Sequence, residues 1–220
     1  MASDSFLTGQ AGIEFFGKVS ASLSHDIKNV LAVINENAGL LEDFCLMADR
    51  GKPLDPSRLK RLAQDVREQV RRGDGIVTGL NRFAHSMDRA TAEVDLLELL
   101  DLLAALALRS AGMRGVHLEV NRSAGPVTVA TSAFVLLNLM WLCLEHAMTA
   151  TGPTRTVELV AEHAANGACL RLRKLEGLKN ATVAAFPTEP AQALCRVLKG
   201  QLSNDAQANE ISIRVPDQRG

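Results

Sequence analysis

The residues of this chain best suited to chemistry sit together in Ser24-His25-Asp26-Ile27-Lys28-Asn29. A histidine next to a carboxylate, with an amide one helical turn away, is equipped to accept a phosphoryl group. The imidazole attacks through a nitrogen that carries a lone pair. A carboxylate that holds the N–H of the other nitrogen fixes the tautomer and raises basicity. Lys28, three residues from His25, can offset developing phosphate charge. The competing reading of the same residues is a solvated histidine on a long helix.

The elements that must carry these residues follow from spacing. Phe16, Leu23, Val30, Asn37 and Phe44 recur every seven residues, and Ser20, Ile27, Ile34 and Leu41 form the companion position. Such 3-4 spacing is the seam of a helix packed in coiled-coil fashion. A second run repeats it through Leu59, Leu62, Val66, Gln69, Gly73, Ile76, Leu80, Phe83 and Met87. Between the runs, Gly51 can end one helix, while Asp55 followed by Pro56 supplies the N-cap and first position of the next. The expectation is an antiparallel hairpin of helices of roughly 35–40 residues, each ~55–60 Å long. His25 lies about 200° around the helix from Leu23, so it faces away from the seam, and Asn29 stacks one turn above it. A lone hairpin leaves much of each apolar stripe wet, so two hairpins forming a four-helix bundle in a homodimer are expected. Gly73, Gly75 and Gly79 on the second helix suit either close helix approach or a local bend.

Composition narrows the function. The 220 residues are 47% hydrophobic and 22% charged, as in ordinary globular proteins. With 24 basic and 25 acidic residues the net charge is −1, which argues against a nucleic-acid binder. Aromatics are 4% of the chain, with one Trp and no Tyr, too few for base-stacking platforms. Cys45, Cys143, Cys169 and Cys195 are widely spaced without a CxxC pair, so buried thiols in a reducing compartment are expected. No secretory leader is expected, since the first 15 residues carry Asp4 and Glu14 and no basic stretch, and the most apolar run, Ala133 to Leu144, is interrupted by Asn138 and too short for a bilayer. These features predict a soluble, cytoplasmic protein without a membrane partner.

Past residue 90 the periodicity changes. Helices are expected over Glu93–Met113, Ser132–Thr151 and Pro190–Lys199. Strands are expected over Val116–Val120, Val127–Val129, Thr156–Glu162, Ala168–Arg173 and Glu210–Val215, with Asn166-Gly167 as a hairpin turn. The fold class is therefore α+β, with a helical-hairpin domain over 8–90 and an α/β sandwich over 91–220. The sandwich should hold a mostly antiparallel sheet with one helical face. The cations Arg58, Lys60, Arg61, Arg67, Arg71 and Arg72 alternate with Asp65 and Glu68 and read as a solvated helix face. No role attaches to His85, His117 or His163.

The segment SHDIKNVLAVINENAGLLEDF resembles the H-box of two-component sensor histidine kinases, in which an acidic residue follows the phosphorylated histidine and a polar residue stands at +4. Those positions are His25, Asp26 and Asn29. The proline usual after the +4 residue is Val30 here. Gly79-Leu80-Asn81-Arg82-Phe83-Ala84 is similar to the end of the second helix in those kinases. Asp95-Leu96-Leu97-Glu98-Leu99-Leu100 resembles the start of their ATP-binding domain. The resemblance implies an ATPase-type second domain, but its nucleotide elements are missing. His146 stands in Leu144-Glu145-His146-Ala147-Met148 where the kinases hold Mg²⁺ with Asn. Arg171 to Leu178 offers Lys174, Glu176 and Gly177 without a DxGxG, and no Gly-rich lid follows. His146 has no neighbour at ligand spacing and reads as a core or helix-surface histidine.

A dimerising hairpin with an H-box and a degenerate histidine-kinase-type ATPase domain is similar to the ChpT-type histidine phosphotransferases. That resemblance implies a phosphorelay through His25 between receiver-domain aspartates. Asp26 orients the imidazole, and Lys28 and Asn29 complete the site. No cofactor is bound by the chain itself; Mg²⁺ is supplied by the partner receiver's acidic pocket. The expected partners are a second copy, response-regulator receiver domains and a hybrid sensor kinase. Two alternatives stay open. One is a phosphatase in which Asn29 orients water toward a receiver's aspartyl phosphate; the other is a non-catalytic dimeric adaptor that sequesters a regulator. An ATP-using kinase ranks below both.

Overall fold

The computed structural model describes residues 2–122, 125–180 and 185–218, with side chains from residue 8 onward. The protein is α+β, as its periodicities predict. By contacts it divides into two compact units, residues 20–81 and residues 1–19 with 82–220.

The first unit is the helical hairpin. Helix α1 spans Ala2–Asp49 and α2 spans Pro56–His85, so the helices hold 48 and 30 residues where two of similar length were expected. The turn between them is built as its residues dictate. Gly51 adopts φ 79°, and the amides of Gly51 and Lys52 donate to Ala48 O and Met47 O at 2.8 and 3.1 Å, a Schellman closure of α1. Asp55 Oδ1 then accepts from the Ser57 amide at 2.9 Å and caps α2 ahead of Pro56. Along the seam Leu23, Val30 and Asn37 are buried, while Ile27, Ile34 and the α2 series from Leu59 to Leu80 are half-buried. Asn37 meets part of its polar demand inside its own helix, donating Nδ2 to Val33 O at 2.8 Å. Three members of the expected seam lie off it: Leu41 is exposed, Met87 is exposed past the end of α2, and Phe16 belongs with Phe83 to the other unit, where it stacks on that ring and is exposed on one side. The glycines divide by role. A Cβ on Gly73 would sit 3.4 Å from Val30 Cγ1, so this glycine marks the close helix approach, whereas Gly75 and Gly79 face open space.

The second unit is a sandwich. Its five-stranded sheet runs in the order β2 (His117–Asn121), β4 (Thr156–Ala164), β5 (Gly167–Arg173), β7 (Glu210–Pro216), β6 (Gln201–Asp205). β2 and β4 are parallel and the remaining neighbours antiparallel. A separate antiparallel pair joins β1 (Ala92–Asp95) to β3 (Thr128–Thr131). Helices α3 (Leu96–Met113) and α4 (Ala133–Ala147) cover the sheet, and α5 (Glu189–Val197) packs on α4. The period-2 pattern sends Val157, Leu159 and Ala161, then Leu170 and Leu172, then Ile211 and Ile213 into the core, all buried. The other face carries charge: Arg171 and Arg173 both pair with Glu162, at 3.0 and 2.8 Å, and with Glu210.

The expectations missed three details of this unit. Residues 92–95 pair as a strand and Asp95 caps α3 by accepting from Leu97 and Glu98, so the helix starts at 96, not 93. Strand β6 lies at the sheet edge with mostly exposed, polar residues, and its sequence carries no apolar alternation. The start of α1 belongs to this unit: Phe15 is 2% exposed and packs on Phe83, Trp141 and Phe134 at centroid distances of 5.2, 5.5 and 5.8 Å. That burial extends α1 back beyond the heptad pattern.

Because Gly75 faces open space on a helix, Gly75→Ala should raise the unfolding free energy by about 0.5–1 kcal/mol. Gly73→Ala should gain measurably less, since its methyl presses on Val30. Urea denaturation of both variants checks the pair.

Candidate functional site

In the hairpin unit, burial of Leu23 and Val30 turns His25 outward, and its side chain is 49% exposed. Asp26, one residue on, is tucked nearer the helix pair at 18%, and its Oδ1 lies 3.7 Å from His25 Nδ1. Asn29 Nδ2 lies 3.1 Å from the same nitrogen. Both neighbours predicted from spacing therefore meet one edge of the ring. Lys28 is exposed and makes no ion pair with the cluster among the described residues.

This geometry sorts the two ring nitrogens. With the Asn29 amide N–H donating to Nδ1, the neutral ring carries its proton on Nε2. Half a turn of the amide presents Oδ1 instead, which accepts Nδ1–H and leaves the lone pair on Nε2. The Asp26 carboxylate, an acceptor only, favours the second arrangement. A nucleophile at Nε2 with its counter-charge at Nδ1 is what phosphoryl acceptance by a histidine requires.

In the sandwich unit the notable titratable group is His146, at the end of α4. Its ring stacks on Phe186 with centroids 4.5 Å apart and planes 13° from parallel. Nε2 is buried without a hydrogen-bond partner. Burial holds the imidazole below its ordinary pKa, because the charged form loses its hydration. The preceding residue is tied at both ends: Glu145 pairs with Lys18 at 3.2 Å, and its carbonyl accepts from Arg114 at 3.1 Å. Sequence reasoning missed the Phe186 contact, since 40 residues separate the rings and neither lies in a motif. Nearby, Gly177 donates its amide to Ala150 O at 2.9 Å. A Cβ there would sit 2.8 Å from that oxygen, so the segment holding Gly177 is packed directly on the loop after α4. Lys174, with φ 69°, pairs across to Glu119 at 2.6 Å. Cys143 is buried, with its thiol pushed well above the ordinary range by desolvation, and Cys169 and Cys195 are buried too; Cys45 is exposed. Among the described residues no helix is long and apolar enough to cross a membrane.

No family model matches the chain, and no curated protein matches it. Among solved structures, it is similar to the nucleotide-free catalytic domain of the histidine kinase ThkA, with a TM-score of 0.46 and 13% identity over 59% of this chain and 98% of that one. It is similar to the histidine kinase AdeS of Acinetobacter baumannii, with a TM-score of 0.45 and 11% identity over 89% of this chain and 98% of that one. A histidine kinase of Burkholderia phymatum gives a TM-score of 0.44 and 17% identity over 91% of this chain and 96% of that one.

The buried state of His146 sets a pH dependence. Its folded pKa lies below the unfolded value of about 6.5, so the unfolded chain binds the proton first as pH falls. The contribution to stability is complete above about pH 6.5 and is lost as pH drops toward the folded pKa. Urea unfolding between about pH 5 and 7.5 should show a smaller slope in His146→Gln than in the native chain.

Proposed function

We propose that this chain is a homodimeric histidine phosphotransferase of a two-component phosphorelay that works through His25 without ATP. The observation that carries the reading is the half-exposed imidazole whose Nδ1 edge faces Asp26 and Asn29. With the proton on Nδ1, Nε2 attacks the phosphorus of an aspartyl phosphate on a receiver domain. The N–P bond forms as the P–O bond to the aspartyl carboxylate breaks, and that electron pair leaves with the carboxylate. The ring keeps its Nδ1 proton and becomes a phosphorylated imidazolium, whose charge Asp26 offsets. In the second half-reaction a carboxylate of another receiver attacks phosphorus and the N–P pair returns to Nε2. No proton has to enter or leave. Catalysis here is positioning and charge stabilisation, as phosphoryl transfer generally is. Lys28 contributes positive field to the incoming phosphoryl group, and Mg²⁺ belongs to the receiver.

The sandwich supports a role without nucleotide. Where the resembled kinases place an Mg²⁺-binding Asn, His146 is stacked against Phe186. The stretch aligned with their glycine-rich turn is hydrogen-bonded to the loop after α4.

The dimer reading rests on apolar surface. Leu31, Leu41 and Leu46 on α1, with Val70 and Val77 on α2, are 46–58% exposed on a hairpin that no other described element of its unit covers. A second hairpin of the same sequence covers both stripes at once. Light scattering should therefore give roughly twice 23.6 kDa down to about micromolar concentration. A monodisperse monomer contradicts the bundle.

A receiver phosphatase needs only a positioned water, whereas a relay needs the ring nitrogen itself. With radiolabelled phosphoreceiver as donor and a second receiver as acceptor, His25→Gln should abolish transfer. Asn29→Ala should leave uptake on His25 largely intact and mainly slow the loss of phosphate to water. Both side chains are exposed, so folding should change by no more than about 0.5 kcal/mol. Continued relay by His25→Gln overturns the proposal, and phosphate release with no label ever on His25 favours the phosphatase.

A further inference from the structure

Within the sandwich unit the start of α1 packs on α4 through Phe15 and Trp141, and the two helices do not close completely. A cavity of about 130 Å³ remains between them. Ala11 and Phe15 form its apolar wall on α1, and Leu142 and Pro190 complete the far side. Gln10, Glu14 and Lys18 stand at its rim, all exposed, so the cavity is reached from solvent between them. The rim is already partnered: Gln10 Nε2 donates to Glu14 Oε1 at 2.9 Å, and Lys18 pairs with Glu145 at 3.2 Å.

The unpartnered polarity lies inside. Asn138 and Trp141 also line the cavity, and they are only 1% and 5% exposed. Asn138 Nδ2, Asn138 Oδ1 and Trp141 Nε1 are each buried without a hydrogen-bond partner among the described residues. A spacing of three residues on α4 makes the two side chains neighbours on one face. Buried polar atoms are nearly always bonded, and one left unpaired is destabilising. Asn138 is the one amide in an otherwise apolar helix, where a leucine would carry no such cost. The two residues thus hold three hydrogen-bonding atoms for a group from outside the chain.

Those atoms specify the group. Trp141 Nε1–H and Asn138 Nδ2–H call for an acceptor, and Asn138 Oδ1 calls for a donor beside it. A ring lactam presents its N–H next to its C=O and pairs with an asparagine amide through two hydrogen bonds, as the edge of adenine does. An apolar cavity of roughly 150 Å³ accepts benzene, so the space here matches a single ring. The buried groups are uncharged, which matches a neutral ligand. We infer that Asn138 and Trp141 form a binding site for a small, neutral, single-ring ligand with a lactam edge, held between the start of α1 and α4. The inference does not rest on the phosphotransfer reading of His25.

The test uses three rings of nearly one size on the full chain. Benzene offers no polar edge, neutral pyridine offers an acceptor alone, and 2-pyridone offers an acceptor beside a donor. Trp141 is the one tryptophan of the chain, so its indole N–H reports on the site directly in ¹⁵N-labelled protein. 2-Pyridone should move that resonance saturably and bind most tightly, with each hydrogen bond lost along the series weakening binding about fivefold or more. At about ten times its Kd, 2-pyridone should raise the melting temperature by about 3–6 °C. In Asn138→Leu it should bind no better than benzene. If that variant fails to fold, the order of the three rings on the native chain decides alone. An indole resonance that 2-pyridone leaves in place overturns the inference. Equal affinity for benzene and 2-pyridone overturns it by making the cavity merely apolar, and undiminished binding to Asn138→Leu does so by placing the ligand elsewhere.

Discussion

Burial of Leu23 and Val30 against the second helix sets the rotation of α1 about its own axis, and the candidate chemistry depends on that rotation. In a helix each residue advances by about 100°, so fixing two positions fixes the direction of every other. His25 and Asn29 are turned to water, Asp26 is drawn to the flank of the seam, and the two side chains converge on one nitrogen of the ring. A rotation by two residues, about 200°, would turn the imidazole into the seam and expose Leu23 in its place. Gly73 lets the helices approach closely enough at Val30 for that rotation to be held by contact.

Polarity is used sparingly within the seam and freely outside it. Gln69 on α2 has its Oε1 buried without a hydrogen-bond partner among the described residues, while Asn37 is buried in the seam and its amide donates within its own helix. A buried polar group satisfied this way costs far less than one left unpaired, and it interrupts an otherwise apolar stripe. The outer faces carry charge instead, with α2 basic and exposed along its first half.

The sandwich solves a different problem. α4 is apolar nearly all round because α3, α5 and the sheet cover it, and the aromatic group of Phe15, Phe83, Phe134 and Trp141 lies along it. The imidazole of His146 ends this helix under an aromatic ring, where the neutral form is favoured and a charged one is not.

Local physics wrote much of this structure into the sequence. The 3-4 spacing of apolar residues, Gly51 as helix stop, Asp55-Pro56 as helix start and the alternation in residues 156–173 each depend on neighbours within a turn or a strand, so they were legible. The outward face of His25 was legible for the same reason, being a matter of angle from Leu23. What only the tertiary structure decided lies between distant segments. Phe15 fell outside the heptads, and its burial against Phe83 and Trp141 carried α1 back through residues that show no seam of their own. Strand β6 has no apolar alternation, because an edge strand whose side chains are mostly in water needs only its backbone partner β7. Which ring nitrogen Asp26 and Asn29 would meet, and which ring would cover His146, are settled by side-chain directions and by chain separations of up to 40 residues. A periodicity of 3.6 or 2 carries information over its own element and none about the element that packs against it.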